Sequence, residues 1–159
     1  METTRHFTAS LYVVNDGATA LHHHERLDLW LPPGGHIGRD ELPHEAALRE
    51  TTEETGLDAT LVQTPSGRSS PTARPLPSPA HIMLEDINRH GDHVGHQHVD
   101  FIYYGRTAGR DISPAPGEAG ADRWAWFDAA ALATDDRLDP DVTEHAASAL
   151  DTVASLGAD

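Results

Sequence analysis

The segment over residues 35–57 constrains the fold more than any other part of the sequence, because it predicts a loop, a helix and a second loop in succession. Pro43 suits the first turn of a helix, where a missing backbone N–H costs nothing. Residues 45–55 are rich in Ala, Leu, Arg and Glu, and Gly56 can end a helix in the left-handed conformation. We therefore predict a helix over residues 43–55.

Strands are predicted on both sides of this helix, where apolar and polar residues alternate. The apolar run 29–31 ends at Pro32-Pro33-Gly34-Gly35, which predicts a loop. The chain is therefore α/β, and we predict an α/β/α sandwich with a mixed central sheet. The predicted strands cover residues 6–14, 18–21, 59–63, 81–87, 98–106 and 123–127, and a final amphipathic helix begins at Asp139-Pro140.

One domain is expected over residues 1–159, since this length is ordinary for a single core. Residues 65–79 hold five prolines among Ser and Gly, which predicts an exposed, irregular Pro-rich loop rather than a domain boundary. Residues 1–7 are polar and do not form a signal peptide, and no apolar run is long enough to span a bilayer. We expect a cytoplasmic protein that does not associate with membranes.

The composition excludes several kinds of chemistry. Because the chain has no cysteine, disulfides, cysteine zinc sites and thiol nucleophiles are ruled out, and because all 11 basic residues are arginine, a lysine Schiff base is ruled out too. The formal net charge of −15 should repel nucleic acid and bare phosphates. An anionic substrate would therefore need a divalent metal ion to mediate its binding.

Three glutamates of the predicted helix share one face, because Glu50, Glu53 and Glu54 stand at positions i, i+3 and i+4. Like charges at this spacing destabilise a helix by about 0.2–0.5 kcal/mol per pair. Hard oxygen ligands grouped on one helix make sense if Mg²⁺ or Mn²⁺ lies among them. A solvated acidic helix face is the alternative interpretation of the three glutamates alone.

The residues around these glutamates resemble the Nudix box, Gx5Ex7REUxEExGU, in which U is aliphatic. One position departs from the pattern, since Thr51 stands where a bulky aliphatic residue is expected; we predict that Thr51 faces the core. The preceding residues 30–35, the acidic and aromatic stretch 118–127 and the final helix also resemble this family. The residues that match the box are Gly35, Glu41, Arg49, Glu50, Glu53, Glu54, Gly56 and Leu57.

The resemblance implies a Nudix-like sandwich and a metal-dependent hydrolase of a phosphoanhydride bond. It implies that Arg49 pairs with Glu41 and holds the helix charges in place. The general base differs within the family, and Glu50 and Glu118 are both candidates. Mg²⁺ or Mn²⁺ would be bound by Gly35 through its carbonyl and by Glu50, Glu53, Glu54 and Glu118.

A second set of candidates lies on a predicted strand. His96, His98 and Asp100 alternate, so their side chains should share one face, with an apolar face opposite. Some Nudix proteins pair such a strand with a histidine after the glycine loop, here His36. We predict that these four residues face the cavity of the box glutamates and contact substrate or an auxiliary metal. A solvent-exposed polar strand face is the alternative.

Other aromatic residues are assigned less specific roles. The histidine tract at residues 22–24 is predicted to be a polar loop. Trp30, Trp124 and Trp126 could stack on a base, although core packing is the favoured interpretation.

The predicted function is hydrolysis of a nucleoside-diphosphate-linked or nucleoside triphosphate substrate, with a small nucleotide-like molecule as the only partner. A nucleotide-binding or sensory module without turnover is the main alternative, and a purely structural acidic domain is the third. The intact glutamate set argues against a pure binder. The sequence does not identify the substrate, and a homodimer is left open.

Overall fold

The computed structural model describes residues 2–157 and contains eight strands, three helices and one short 3-10 turn over Ala121–Arg123. The strands are β1 (Thr4–Asn15), β2 (Ala18–His24), β3 (Leu29–Leu31), β4 (Gly34–His36), β5 (Ala59–Leu61), β6 (His81–His90), β7 (His93–Thr107) and β8 (Trp124–Asp128). The helices are α1 (Pro43–Thr55), α2 (Ala129–Thr134) and α3 (Pro140–Leu156).

The sheet is mixed, as predicted, because β1 and β7 run parallel and every other pairing is antiparallel. The parallel register extends from Thr4 opposite His96 to Val14 opposite Arg106. On its other edge, β1 pairs with β4 over residues 8–10 and with β2 only at its end. The sheet therefore opens between β2 and β4, and the Gly34 N–H at this opening donates to Glu54 in the second half of α1.

Each face of the sheet carries one long helix. Alternate residues of β1, including Leu11 and Val13, pack in one buried cluster with Ala46 and Ala47 of α1. The residues between them, including Tyr12, pack in a second buried cluster with the apolar stripe of α3. The predicted α/β/α sandwich is confirmed.

Helix α1 has the predicted bounds and is fixed at both ends. Glu45 accepts a hydrogen bond from the Leu42 backbone N–H at 3.1 Å, which satisfies one free donor of the first turn. At the other end Gly56 has φ of 73°, and a Cβ there would lie 2.5 Å from the Ser113 carbonyl oxygen. Only glycine combines this conformation with this close approach.

Two loop predictions were wrong. The histidine tract belongs to β2, where His22 pairs with Leu31 of β3 and with Trp124 of β8. The predicted loop at residues 32–35 ends in β4, since Gly34 pairs with Ser10. In both cases hydrogen bonds to distant strands override a local preference for loop. A Cβ on Gly34 would lie 2.5 Å from Ser10 Oγ, so this pairing requires glycine.

Smaller differences concern the ends of elements. The strand predicted at residues 59–63 stops at Leu61, whereas the hairpin of β6 and β7 extends to His90 and His93. Residues 65–79 form neither a helix nor a longer strand, and only isolated bridges such as Pro65–Pro77 cross the segment.

Candidate active site

Arg49 is the centre of the charged network on α1. Its guanidinium donates to both carboxylate oxygens of Glu41, at 2.7 and 3.0 Å, and to Glu50 and Glu53 at 2.8 and 3.0 Å. It also donates to the His36 carbonyl oxygen at 3.1 Å. The hydrogen bond from Arg49 lowers the pKa of Glu41. One arginine thus fixes three carboxylates and ties them to β4.

The glycine pair of β4 lies directly against the same carboxylates. A Cβ on Gly35 would come within 2.5 Å of Glu50 Oε1, and the Gly34 N–H donates to Glu54 Oε2 at 3.3 Å. A side chain at position 35 would therefore displace Glu50, whereas one at position 34 would collide with Ala9 and Ser10 of β1. The backbone of this loop and the acidic face of α1 form a single surface.

Glu54 is half-buried where the acidic face of α1 meets the glycine pair. Its burial, and then the charges of Glu50, Glu118 and Glu53, raise its pKa to about 8, against the hydrogen bond from Gly34. A buried carboxylate beside like charges favours either a proton or a cation. The oxygen-only donor set around Glu54 fits a hard divalent cation.

A cavity of 290 Å³ adjoins this face and brings together three of the four residues predicted to bind substrate. Glu54, His36, His98 and Asp100 all line it, whereas His96 is not part of its lining. Asp100 is only 4% exposed and accepts a hydrogen bond from Thr8 Oγ1 at 2.8 Å. Burial raises the pKa of Asp100. Asp100 is therefore an inner wall residue, and its Oδ1 is already engaged by Thr8.

Glu118 lies near the box glutamates, because it and Glu54 line a smaller cavity of 190 Å³. This cavity is also lined by Trp124 and the tract residues His22 and His24, together with Ala119. His22 stacks on Trp124 with 4.7 Å between ring centroids, and burial lowers the pKa of His22 to about 4. A neutral imidazole and an indole thus form an apolar wall beside the carboxylates.

Comparison with known proteins shows which family has these features. The NUDIX domain matches residues 4–147. A NUDIX family hydrolase from Clostridium perfringens is 31% identical, with a TM-score of 0.80 over 94% of this chain and 99% of that one. A MutT protein from Methanosarcina mazei is 14% identical and shares the fold, with a TM-score of 0.63 over 100% of this chain and 99% of that one.

This chain belongs to the Nudix hydrolase family. The predicted family and enzyme class are confirmed. A curated relative, the m7GpppN-mRNA hydrolase NUDT17 of Danio rerio, is 55% identical over 31 residues, which are 20% of this chain. The match spans only 10% of that protein, so its substrate is not transferred to this Nudix chain.

The sequence did not reveal the acids that face the cavity from the α3 side. Glu85 and Asp141 line the cavity with His145. Burial, and then the charges of Asp100 and Asp141, raise the pKa of Glu85 to about 7. No local signal pointed to Glu85, because the alternation in β6 favours Ile82 and Leu84 as the inward residues. In the structure the isoleucine and leucine are 59% and 58% exposed, and Glu85 faces inward.

The three tryptophans of this Nudix chain have separate surroundings. Trp30 packs edge-on against Phe127 at 5.2 Å, and Trp126 lies under the Arg110 guanidinium at 5.1 Å. Trp124 is in the small cavity, where its buried Nε1 has no hydrogen-bond partner among residues 2–157. Of the three, Trp124 lies beside the box glutamates.

One further hollow lies away from the box. A surface hollow of 450 Å³ lies between Trp30, Arg123 and Arg137, but none of the box carboxylates lines it. Within residues 2–157, no helix combines the length and apolar character needed to cross a membrane.

Proposed function

We propose that this chain is a Mg²⁺- or Mn²⁺-dependent hydrolase that cleaves the phosphoanhydride bond of a nucleoside-diphosphate-linked or nucleoside triphosphate substrate. The observation that carries the proposal is the half-buried carboxylate of Glu54, which lies under the glycine pair beside a 290 Å³ cavity and whose pKa is raised to about 8. A cation there would offset the burial of this charge and bind a diphosphate in an otherwise acidic chain.

The ligands that we propose for the metal are the Gly35 carbonyl and the carboxylates of Glu50, Glu53, Glu54 and Glu118. Contacts of Arg49 support this set, because they leave Glu54 free of arginine while Glu50 and Glu53 are held in place. When bound there, Mg²⁺ or Mn²⁺ supplies positive charge to the phosphates and acidifies water.

Glu118 is the general base that we favour over Glu50. Glu50 Oε1 accepts a hydrogen bond from Arg49 at 2.8 Å, which makes its lone pair less available to a proton. Glu118 lines the small cavity with Glu54 and is exposed. Water would add its oxygen to one phosphorus, the bridging oxygen would leave with the other phosphate, and a Glu118 carboxylate oxygen would take the proton.

The substrate would contact the two walls of the opening. His22 and Trp124 offer flat ring surfaces for a base, and His36, His98 and Asp100 line the larger cavity. We expect His98→Ala to raise KM or lower kcat without unfolding the protein. If these residues form only a polar strand face, the variant will match wild type in both constants, with circular dichroism confirming the fold in either case.

A nucleotide panel with product identification tests the activity. The panel should include ADP-ribose, UDP-linked compounds, dinucleoside polyphosphates and nucleoside triphosphates, each with Mg²⁺ and with EDTA. We expect Mg²⁺-dependent cleavage of at least one compound and its loss in Glu53→Gln, with the exposed Glu144→Gln as the matched control. Binding of a nucleotide without any turnover would instead favour a sensory module.

We propose that residues 1–159 form one domain and that the protein is cytoplasmic and does not bind nucleic acid. A homodimer also stays a prediction. Phe7 of β1 and Ile82 and Leu84 of β6 support it, since they are 60%, 59% and 58% exposed on the two strands that flank β7.

A further inference from the structure

Four histidines from three adjacent strands meet at the outer end of the larger cavity. His6 of β1 is directly opposite His98 of β7 in the parallel register, and His96 lies two residues earlier on the same face. His36 comes from β4 on the other side of β1. One ring nitrogen of each residue lies within 4.8 Å of the others, and we name these four residues the histidine cluster.

The distances within the histidine cluster approach those of a metal site. A tetrahedral zinc ion with Zn–N bonds of about 2.0–2.1 Å separates its ligand nitrogens by about 3.3 Å. His6 Nδ1 and His36 Nε2 are already 3.2 Å apart. The remaining nitrogens need to close by about 1.5 Å at most, which rotations of the side chains can supply.

Neighbouring groups also leave the required lone pairs free. Thr4 Oγ1 lies 3.2 Å from the Gly95 carbonyl oxygen and 2.9 Å from His96 Nδ1. If its single proton goes to the carbonyl, the threonine can only accept from Nδ1–H, which leaves Nε2 of His96 unprotonated. Such a partner on the second ring nitrogen is the usual support of a metal-ligating histidine.

The ring of His98 packs between its neighbours, with ring centroids 5.1 Å from His36 and 5.0 Å from His96. The cluster contains imidazole nitrogens and no carboxylate, so its chemistry differs from that of the box. Imidazole nitrogen is a better ligand for Zn²⁺ and similar transition-metal ions than for Mg²⁺.

We propose that the histidine cluster binds one Zn²⁺ ion, separately from the oxygen ligands on α1. The ion would crosslink β4, β1 and β7 where the first residues of β1 are exposed. It would thereby hold β4, and with it the glycine pair, against the sheet. This proposal does not rest on the proposed hydrolase activity.

Equilibrium titration of the metal-free protein with Zn²⁺, against a chromophoric chelator and in a large excess of Mg²⁺, tests the site. We expect one equivalent of Zn²⁺ that Mg²⁺ does not displace. His6→Ala and His98→Ala should each weaken it at least about 100-fold, the upper end of the cost of losing even an outer partner of a ligand. X-ray absorption should show a nitrogen shell at about 2.0–2.1 Å.

The matched controls are His90→Ala, an exposed histidine of β6, and His24→Ala, which tests the other histidine-rich segment. Both should bind Zn²⁺ as wild type does. The proposal is overturned if Mg²⁺ displaces all the zinc, if the His6 and His98 variants retain wild-type affinity, or if His24→Ala abolishes binding. His6 is exposed near the start of β1, so its variant should fold, and circular dichroism checks this.

Discussion

Acidic side chains lie on both sides of the sheet near the larger cavity, and the two sets have different partners. On the α1 side, Arg49 forms ion pairs with Glu50 and Glu53 at 2.8 and 3.0 Å. On the α3 side, no arginine within residues 2–157 forms an ion pair with Glu85 or Asp100, and burial raises the pKa of both. The comparison shows two ways in which this fold accommodates clustered acids: an arginine binds one set, and burial raises the pKa of the other.

Glu54 lies on α1 but resembles the α3 set, because its pKa is raised to about 8. It is therefore the residue at which a bound cation would change the electrostatics most. We expect the loss of a carboxylate to have a different consequence on each side. Substitutions on α1 should reduce activity, and those on the α3 side should change stability with pH.

The largest effect is expected from Glu53→Gln and Glu54→Gln. Each removes a proposed metal ligand, so kcat should fall by about 100-fold or more. Each also relieves repulsion between like charges on the helix, so the melting temperature in EDTA should hold or rise. Steady-state kinetics and thermal melts measure both, with Glu144→Gln as the control. Near-normal kcat in both variants would contradict the proposal that Glu53 and Glu54 are metal ligands.

Arg49→Lys should have the second-largest effect and lower both stability and kcat. An ammonium group cannot reproduce the guanidinium contacts to Glu41, Glu50 and Glu53. Arg49 is 36% exposed, so solvent screening limits the loss of unfolding free energy to about 1–2 kcal/mol. Urea unfolding measures this loss. Wild-type stability together with wild-type kcat would mean that the network neither holds the helix nor positions its carboxylates.

Glu85→Gln tests the other side. The folded-state pKa of Glu85 is about 7 against an ordinary value of 4.5, so the folded protein holds this proton more tightly than the unfolded chain. Wild-type stability should therefore fall relative to the variant as pH rises from 4.5 to 7, and the difference should then level off. We expect the variant to gain about 1–2 kcal/mol above pH 7.

Urea unfolding in EDTA at pH 5 and pH 8 would measure this difference. Glu144→Gln serves again as the exposed control, and its stability relative to wild type should not change in the same direction with pH. A pH-independent difference for Glu85→Gln would show that Glu85 is not held as a neutral acid.

The two sides also differ in how well the sequence predicted them. The α1 set follows from residue spacing on one helix, so both the bounds of α1 and the shared glutamate face could be predicted locally. The α3 set depends on strand register, as in the contact of Thr8 with Asp100 across 92 residues. No local pattern states that β1 and β7 are parallel neighbours, and for this reason His6 and Glu85 were missed.

The loop prediction for the histidine tract was wrong for the same physical reason. Consecutive polar residues favour a loop locally, but β3 and β8 supply hydrogen-bonding partners on both edges of β2. Stacking of His22 on Trp124 then covers an imidazole that would otherwise be solvated. Thr51, in contrast, was placed correctly in the core, because its position follows from the period of α1.

The smallest effect on the unfolding free energy is expected from substitution of Thr51. A second buried threonine of α1, Thr55, serves as the comparison. Both Thr51 and Thr55 are 0% exposed. Thr51 Oγ1 donates only to the Ala47 carbonyl at 2.8 Å, an oxygen that the helix backbone also bonds. Thr55 Oγ1 also accepts from the Leu57 N–H at 3.1 Å, a buried donor just beyond the helix end.

Thr51→Val should therefore change the unfolding free energy by less than about 1 kcal/mol and leave kcat unchanged, because it leaves no buried group without a partner. Thr55→Val should cost about 1–3 kcal/mol, because the Leu57 N–H loses its acceptor. Urea unfolding of the two variants compares sites of equal burial on one helix. Equal losses would mean that packing, and not hydrogen bonding at the helix end, decides the cost, and the departure of Thr51 from the Nudix box would then need another explanation.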